Sequence, residues 1–193
     1  MNRLKEVYNK EIIPSLKEKY GYKNVLQVPR LEKIVVNIGC GDASSNSKLL
    51  EAAMTDLELI TDQKPVATKA KKAIAGFKIR AGQAIGCKVT LRGEKADKII
   101  SMVLSGLENR IKASQFDKEG NVSFGIREHI DIPGVKYDPD IGIFGMDVSV
   151  TFQKPGHRIK ERRLRPKKLP QAQRVTKEES IEYMKENFNV TIE

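Results

Sequence analysis

The sequence has no tryptophan, only two cysteines and two histidines, and no apolar run near the roughly 18 residues that a membrane-crossing helix needs. Each absence removes a class of protein. Cys40 and Cys87 lie far apart and form no CxxC pair, which argues against a zinc site or a disulfide framework. Both are expected to be small buried hydrophobes. His129, beside Glu128, and His157 have no Ser, Cys or carboxylate pair placed beside them at the spacing of a triad or metal cluster. Gly39-Cys-Gly41 starts like a dinucleotide fingerprint, but its third glycine would fall at Ser44, so a tight turn is the better reading. No cofactor or metal is therefore expected. The opening MNRLKEVYNKE is too charged for a signal peptide, and a soluble cytoplasmic protein without membrane contact is expected.

Carboxylates are missing from one long stretch. Lys64–Arg92, KPVATKAKKAIAGFKIRAGQAIGCKVTLR, carries eight Lys or Arg and no Asp or Glu over 29 residues. An ordinary soluble surface intersperses both signs. A second segment, Gln153–Lys177, carries ten cations against Glu161 alone. Since the whole chain has a net charge of +10, the other 139 residues sum to −7. Two basic segments on an acidic body point to a phosphate backbone, with a membrane surface as the weaker alternative. The second segment has no face of aromatic or large apolar residues, which argues against membrane insertion, and its clustered arginines suit phosphate or RNA contact. In the first segment Gly76, Phe77, Lys78 and Arg80 form a glycine-punctuated loop. Phe77 there either stacks on an unpaired base or folds back onto the core.

Periodicity supplies the elements. Leu4, Val7, Tyr8, Ile12 and Leu16 predict an amphipathic helix that Pro14 kinks or ends, with Gly21 as a stop. Leu31–Ile38 reads as a strand followed by a turn over Asn37–Asp42, where Asn37 either caps the next helix or contacts RNA. Leu50, Ala53, Met54, Leu57 and Ile60 share a helix face, with Ser45 or Ser47 as N-cap. Pro65–Lys69 is a short strand. In Ile85–Arg92, Ile85, Cys87, Val89 and Leu91 alternate with Gly86, Lys88, Thr90 and Arg92, giving one apolar face and one face of donors. Ala96 to Ile111 carries the longest helical stripe. Two half-buried strands follow, through Val122, Phe124 and Ile126 and through Met146, Val148, Val150 and Phe152, with an irregular connection over Asp131–Asp140. Thr176 and Glu179 form a capping box before a last helix with Ile181, Met184 and Phe188 on one face.

This order predicts an α+β fold: an antiparallel sheet of about five strands, with a split β-α-β core and helices packed on one face. The other face stays open, and Lys88, Thr90 and Arg92 belong to it. A single RNA-binding domain is expected over 1–153, a basic extended arm over 154–175 with too little apolar content to fold alone, and a short helix over 176–193.

KIVVNIGCGDA (Lys33–Ala43), TDQKPVATKAKKAIAGFKIRAGQAIGCKVTLRG (Thr61–Gly93) and GMDVSV (Gly145–Val150) closely resemble the large-subunit ribosomal protein family, conventionally number five, that binds 5S ribosomal RNA. The resemblance covers almost the whole chain. It implies a curved antiparallel sheet with helices on one side, and a non-enzymatic protein that attaches 5S RNA to the central protuberance of the cytoplasmic ribosome. On the matching positions, Asn37, Gln63, Lys64, Thr68, Lys69, Lys71, Lys72, Thr90 and Arg92 are implied to contact 5S RNA, with Lys88 beside them on the open face. The loop Ala75–Gly82, with Gly76, Phe77, Lys78 and Arg80, resembles the one that reaches the P-site tRNA elbow. Ile132–Gly145 resembles the part facing a small-subunit protein in an intersubunit bridge. Large-subunit rRNA and neighbouring ribosomal proteins are the other implied partners.

The chain departs from the bacterial pattern at FDKEGNV, where FDGRGNY is expected, and in its long basic arm, which looks more like archaeal and eukaryotic members. Arg158, Lys160, Arg162, Arg163, Arg165, Lys167 and Lys168 of that arm are expected to add RNA contacts. The alternative from another class is an RNA-acting modification or processing enzyme, which a cofactor pocket or a converging acid and base would favour.

Overall fold

The computed structural model describes residues 8–41, 47–128, 132 and 144–193. The expectations for Leu4 and Val7, for the Asp42 end of the turn, for Ser45 as a cap, for His129 and for most of the 131–145 connection lie outside the described residues.

A π-helical turn, Tyr8–Ile12, leads into helix α1, Ile13–Tyr20. Pro14 sits in the first turn of α1 and does not end it, because a helix's first N–H groups have no intrahelical partner to lose. Gly21 ends α1 in the left-handed region at φ 64°, its amide donating to the Lys17 carbonyl. Strand β1 is Arg30–Gly39, helix α2 Ser47–Thr61, β2 Val66–Lys69 and β3 Ala84–Leu91. Helix α3, Glu94–Gly106, is shorter than its apolar stripe predicted. Glu108 and Asn109 take φ of 52° and 56° and turn the chain out of the helix, so Ile111 is buried in a two-residue strand β4, Arg110–Ile111. A buried isoleucine at helical spacing satisfies either geometry. Then come β5, Val122–Ile126, β6, Met146–Gln153, a helical turn α4, Arg158–Glu161, helix α5, Lys177–Phe188, and β7, Thr191–Ile192.

The fold is α+β, with a five-stranded antiparallel sheet in the order β2-β3-β1-β6-β5. Strand β3 lies between β1 and β2 and is antiparallel to both. A separate small sheet, missed by the periodicity because each strand has only two residues, pairs β4 parallel to β7.

The residues gather into two compact units. One comprises the described residues of Ile34–Leu107 and Phe124–Ser149. Its core joins Ile34, Val36 and Ile38 of β1 and Cys87, Val89 and Leu91 of β3 to Leu50, Ala53, Leu57 and Ile60 of α2 and Ile99, Ile100, Val103 and Leu104 of α3, all buried. Full burial of such a side chain stabilises by about 1.5–3 kcal/mol over leaving it exposed.

The other unit combines the described part of Met1–Lys33 with Glu108–Ser123 and Val150–Glu193. Ile12, Leu16 and Met184 are buried in it, and the Tyr183 ring lies 5.0 Å from Phe152 and 6.1 Å from Tyr8. The capping box forms at the start of α5, Glu179 N–H donating to Thr176 Oγ1 while Thr176 N–H donates to Glu179 Oε2. Strand β6 sends Phe152 inward, and two residues on the alternation brings Lys154 inward as well, to 6% exposure. Its ammonium donates to Glu179 Oε1 at 2.7 Å and lies 5.2 Å from the Tyr22 ring, and the Tyr22 hydroxyl donates to the same carboxylate oxygen. Burial and that hydrogen bond push the Tyr22 phenol far above its usual range.

Candidate nucleic-acid interface

In the first unit, strand register decides which side chains share the face turned away from α2 and α3. Asn37 of β1 is opposite Lys88 of β3, Val35 is opposite Thr90, and on the other side Val66 and Thr68 of β2 are opposite Lys88 and Gly86. Asn37, Thr68, Lys88 and Thr90 therefore project from one face, with Lys88 and Thr90 exposed and Asn37 and Thr68 half-buried. Asn37 belongs to the strand rather than to the turn after it, on the face away from α2. Val66, 63% exposed beside Lys88, was not picked out from the sequence.

Gly86 makes this close three-strand packing possible. A Cβ there would lie 2.7 Å from the Ile38 carbonyl oxygen and 3.0 Å from Thr68 Oγ1. Its place in the alternation gave no hint of this, since only the pairing with both neighbours creates the crowding.

The entry to β2 is braced. Thr61 Oγ1 donates to the Leu57 carbonyl at 2.6 Å, and Gln63 Nε2 donates to the Thr90 carbonyl at 3.1 Å. Lys95 donates to the Asp62 carbonyl at 2.6 Å and Lys98 pairs with the Asp62 carboxylate at 3.0 Å. Gln63 is thus joined to the end of β3 while Lys64 stands exposed beside it. A bulge between Thr68 and Lys69 breaks the alternation and leaves Lys69 exposed.

The loop between β2 and β3 has its own backbone bonds. Ala70 N–H donates to the Gln83 carbonyl at 2.8 Å, and Gly82 N–H to the Ala70 carbonyl at 2.9 Å. Ile74 and Ile79 exchange bonds of 3.0 and 3.2 Å. Between them lies a 3-10 turn, Ala75–Phe77, ended by Lys78 at φ 54°. Phe77 is 71% exposed, so of its two readings the one folded onto the core fails. Gly76, Lys78, Arg80, Lys71, Lys72 and Arg92 are exposed or nearly so. Among the described residues, Lys64, Lys69, Lys71, Lys72, Lys78, Arg80 and Lys88 form no ion pair. Seven unneutralised cations on one strand-loop-strand segment make a strong local positive potential.

Both cysteines lie on the buried side. Burial raises the Cys40 thiol, and burial with Cys40 nearby raises Cys87 to about 11. Among the described residues no group of three or more His, Cys, Asp or Glu could hold a metal ion, and no helix is long and apolar enough to cross a membrane.

The basic arm belongs to the second unit. Helical turn α4 is joined back to the chain by Lys167 N–H donating to the Ile159 carbonyl at 3.1 Å, and Leu169 and Val175 are buried at 6% and 4%. Arg158, Lys160, Arg162, Arg163, Arg165, Lys167 and Lys168 all reach the surface. Glu119 takes two of the arm's cations, Arg174 at 3.3 Å and Lys160 at 3.8 Å. The same unit contains a cavity of about 400 Å³ lined by residues of the arm, β6 and the 119–121 turn.

A helix-backed antiparallel sheet whose outer face and loop hold unpaired cations is the layout of a polyanion-binding α+β protein. Sequence comparison makes this specific. Residues 24–80 match the family described as "Ribosomal protein L5", and residues 84–183 match the C-terminal part of that same family. The chain is 76% identical over 170 residues to "Large ribosomal subunit protein uL5" of Methanosphaera stadtmanae, covering 88% of this chain and 99% of that one. It is 55% identical over 167 residues to the protein of that name from Methanobrevibacter smithii, covering 86% and 96%, and 48% identical over 154 residues to that from Clostridium perfringens, covering 77% and 86%. The chain belongs to the ribosomal protein L5 family.

Proposed function

We infer that this member of the family, a structural protein of the large ribosomal subunit, binds 5S ribosomal RNA and anchors it in the central protuberance of the cytoplasmic ribosome. The observation that carries the reading is the set of unpaired, exposed cations from Lys64 to Lys88 on and beside the outer sheet face. Phosphates would sit on Lys64, Lys69, Lys71, Lys72, Lys88 and Arg92, while Asn37, Thr68 and Thr90 offer hydrogen-bonding groups at the same face and Gln63, braced on the Thr90 carbonyl, offers its amide oxygen beside Lys64. The self-braced loop with exposed Phe77, between Gly76 and Lys78 and near Arg80, suits the elbow of P-site tRNA, where an aromatic ring can stack on a base. The arm adds rRNA contacts, and the 132–145 connection faces a small-subunit protein.

Affinity purification of the full chain at moderate salt, followed by sequencing of the bound RNA, tests the central claim. Enrichment of 5S RNA over 16S RNA and tRNA is expected, and its absence overturns the reading. Binding should weaken steeply as salt rises, because released counterions supply most of the affinity.

A further inference from the structure

The cavity in the second unit is lined mainly by three kinds of group, beside Thr151, Phe152 and His157. Pro166, Leu169 and Val175 are apolar walls. Asn121, Gln153 and Gln173 contribute carboxamides, each presenting a donor and an acceptor in one plane. Lys33, Lys160, Lys167, Lys168 and Arg174 contribute positive charge against Glu32, Glu119 and Glu161. Lys154 also lines it, its charge already matched by Glu179.

This combination is selective. A pocket for a free anion needs no carboxamides, and one for an apolar ligand would not gather five cations. Apolar walls cover an unstacked base, carboxamides pair with its edge, and ammonium groups hold its phosphate. A volume of about 400 Å³ admits one such unit and excludes a duplex. Lys167 and Lys168 form no ion pair among the described residues, which leaves them available to phosphate.

We propose that this cavity is a second RNA site that takes a single unstacked nucleotide, its base edge against Asn121, Gln153 and Gln173 and its phosphate on Lys167 and Lys168. Glu119 sets the affinity of the site. By holding Lys160 and Arg174 it keeps two further cations from the phosphate, and an arriving nucleotide must compete with it. The proposal rests on the RNA-binding reading but uses residues of the other unit, so the two can fail separately.

The test uses the full chain, titrated with AMP, GMP, CMP and UMP and separately with inorganic phosphate, while the side-chain amide signals of Asn121, Gln153 and Gln173 are followed by NMR. At least one mononucleotide is expected to shift all three, and phosphate alone to shift them little. Gln173→Ala, at an exposed position, should weaken that binding about three- to tenfold, the weight of one hydrogen bond, with an unchanged melting curve. Glu119→Gln should tighten it, an outcome that a merely damaged fold cannot produce. Unmoved carboxamide signals, or identical shifts from phosphate alone, overturn the proposal. If Gln173→Ala loses the mononucleotide but keeps 5S RNA, both readings stand. If the chain binds mononucleotide here but does not enrich 5S RNA, the 5S reading fails and the pocket remains.

Discussion

Gly86→Ala is the sharpest test of how the RNA-facing strands are held together. Its new methyl carbon would meet the Ile38 carbonyl oxygen at 2.7 Å, Thr68 Oγ1 at 3.0 Å and Gly39 Cα at 3.5 Å. An ordinary carbon–oxygen contact lies beyond about 3.3 Å, so β1 and β3 must part by about half an ångström at a backbone atom that cannot rotate away. Overpacking of this kind costs about 1–3 kcal/mol. For a chain of this length each kcal/mol lowers the Tm by about 2–4 °C, so a fall of about 2–12 °C is expected in a thermal melt followed by circular dichroism. Gly125→Ala is the matched control. Its Cβ would meet only Asp147 Oδ1, at an unstrained 3.5 Å, so the change should stay within about 0.5 kcal/mol. If Gly86→Ala melts with the parent, or if both variants fall equally, the crowding argument is wrong.

Four further outcomes are expected. Lys71→Ala with Lys72→Ala should weaken 5S RNA binding and reduce the slope of log K against log salt by about 1.4–1.8, or about 0.7–0.9 per lost phosphate contact; an unchanged slope places the contact elsewhere. Phe77→Ala should leave the melting curve unchanged, since the ring is exposed, yet weaken tRNA binding in a filter assay by about 1–3 kcal/mol if it stacks on a base. Lys154→Met should destabilise by about 3–5 kcal/mol in a urea titration, because it leaves the Glu179 carboxylate buried without its cation. Adding Glu179→Gln should recover part of that loss, and a double variant no more stable than the single one argues against a charge effect. Cys87, raised to about 11 by burial, should resist iodoacetamide at pH 8 and react on unfolding. Because the unfolded thiol ionises first, near the ordinary thiol value of 9.0, this group's contribution to stability is intact below about pH 9 and is lost as pH rises through about 11. Labelling followed by mass spectrometry and a pH series of melts check the two halves.

The alternation in β3 was enough to place Lys88 and Thr90 outward and Cys87, Val89 and Leu91 inward, because strand geometry leaves only two directions. The same rule carried past Phe152 points Lys154 inward. Its partners were not legible: Glu179 lies 25 residues further on, and Tyr22, which reaches the same carboxylate, is 157 residues from it. Such a pairing leaves no trace in local pattern. Gly86 is a similar case, since its crowding comes from two strands brought together only by the fold. Phe77 was ambiguous for another reason: a lone aromatic in a glycine-rich loop has no period, and only the folded loop, closed by the hydrogen bonds between Ile74 and Ile79, leaves it facing water. Asn121, Gln153 and Gln173 come from three separate segments, and their convergence on one cavity was not visible from spacing.

The pairing of β4 with β7 has a consequence in time. Thr191 N–H donates to the Asn109 carbonyl, Glu193 N–H to the Ile111 carbonyl, and Ala113 N–H to the Glu193 carbonyl. During synthesis every residue of the unit spanning Ile34–Leu107 and Phe124–Ser149 is made before Val150, so that unit can close while translation continues. Residues 110 and 111 instead wait about 80 residues for their partners, a long loop closure of the kind that slows folding. Folding can therefore be vectorial: the unit with the Lys64–Arg92 face can form first, and the unit with the nucleotide-sized cavity is completed only when Thr191–Glu193 join β4.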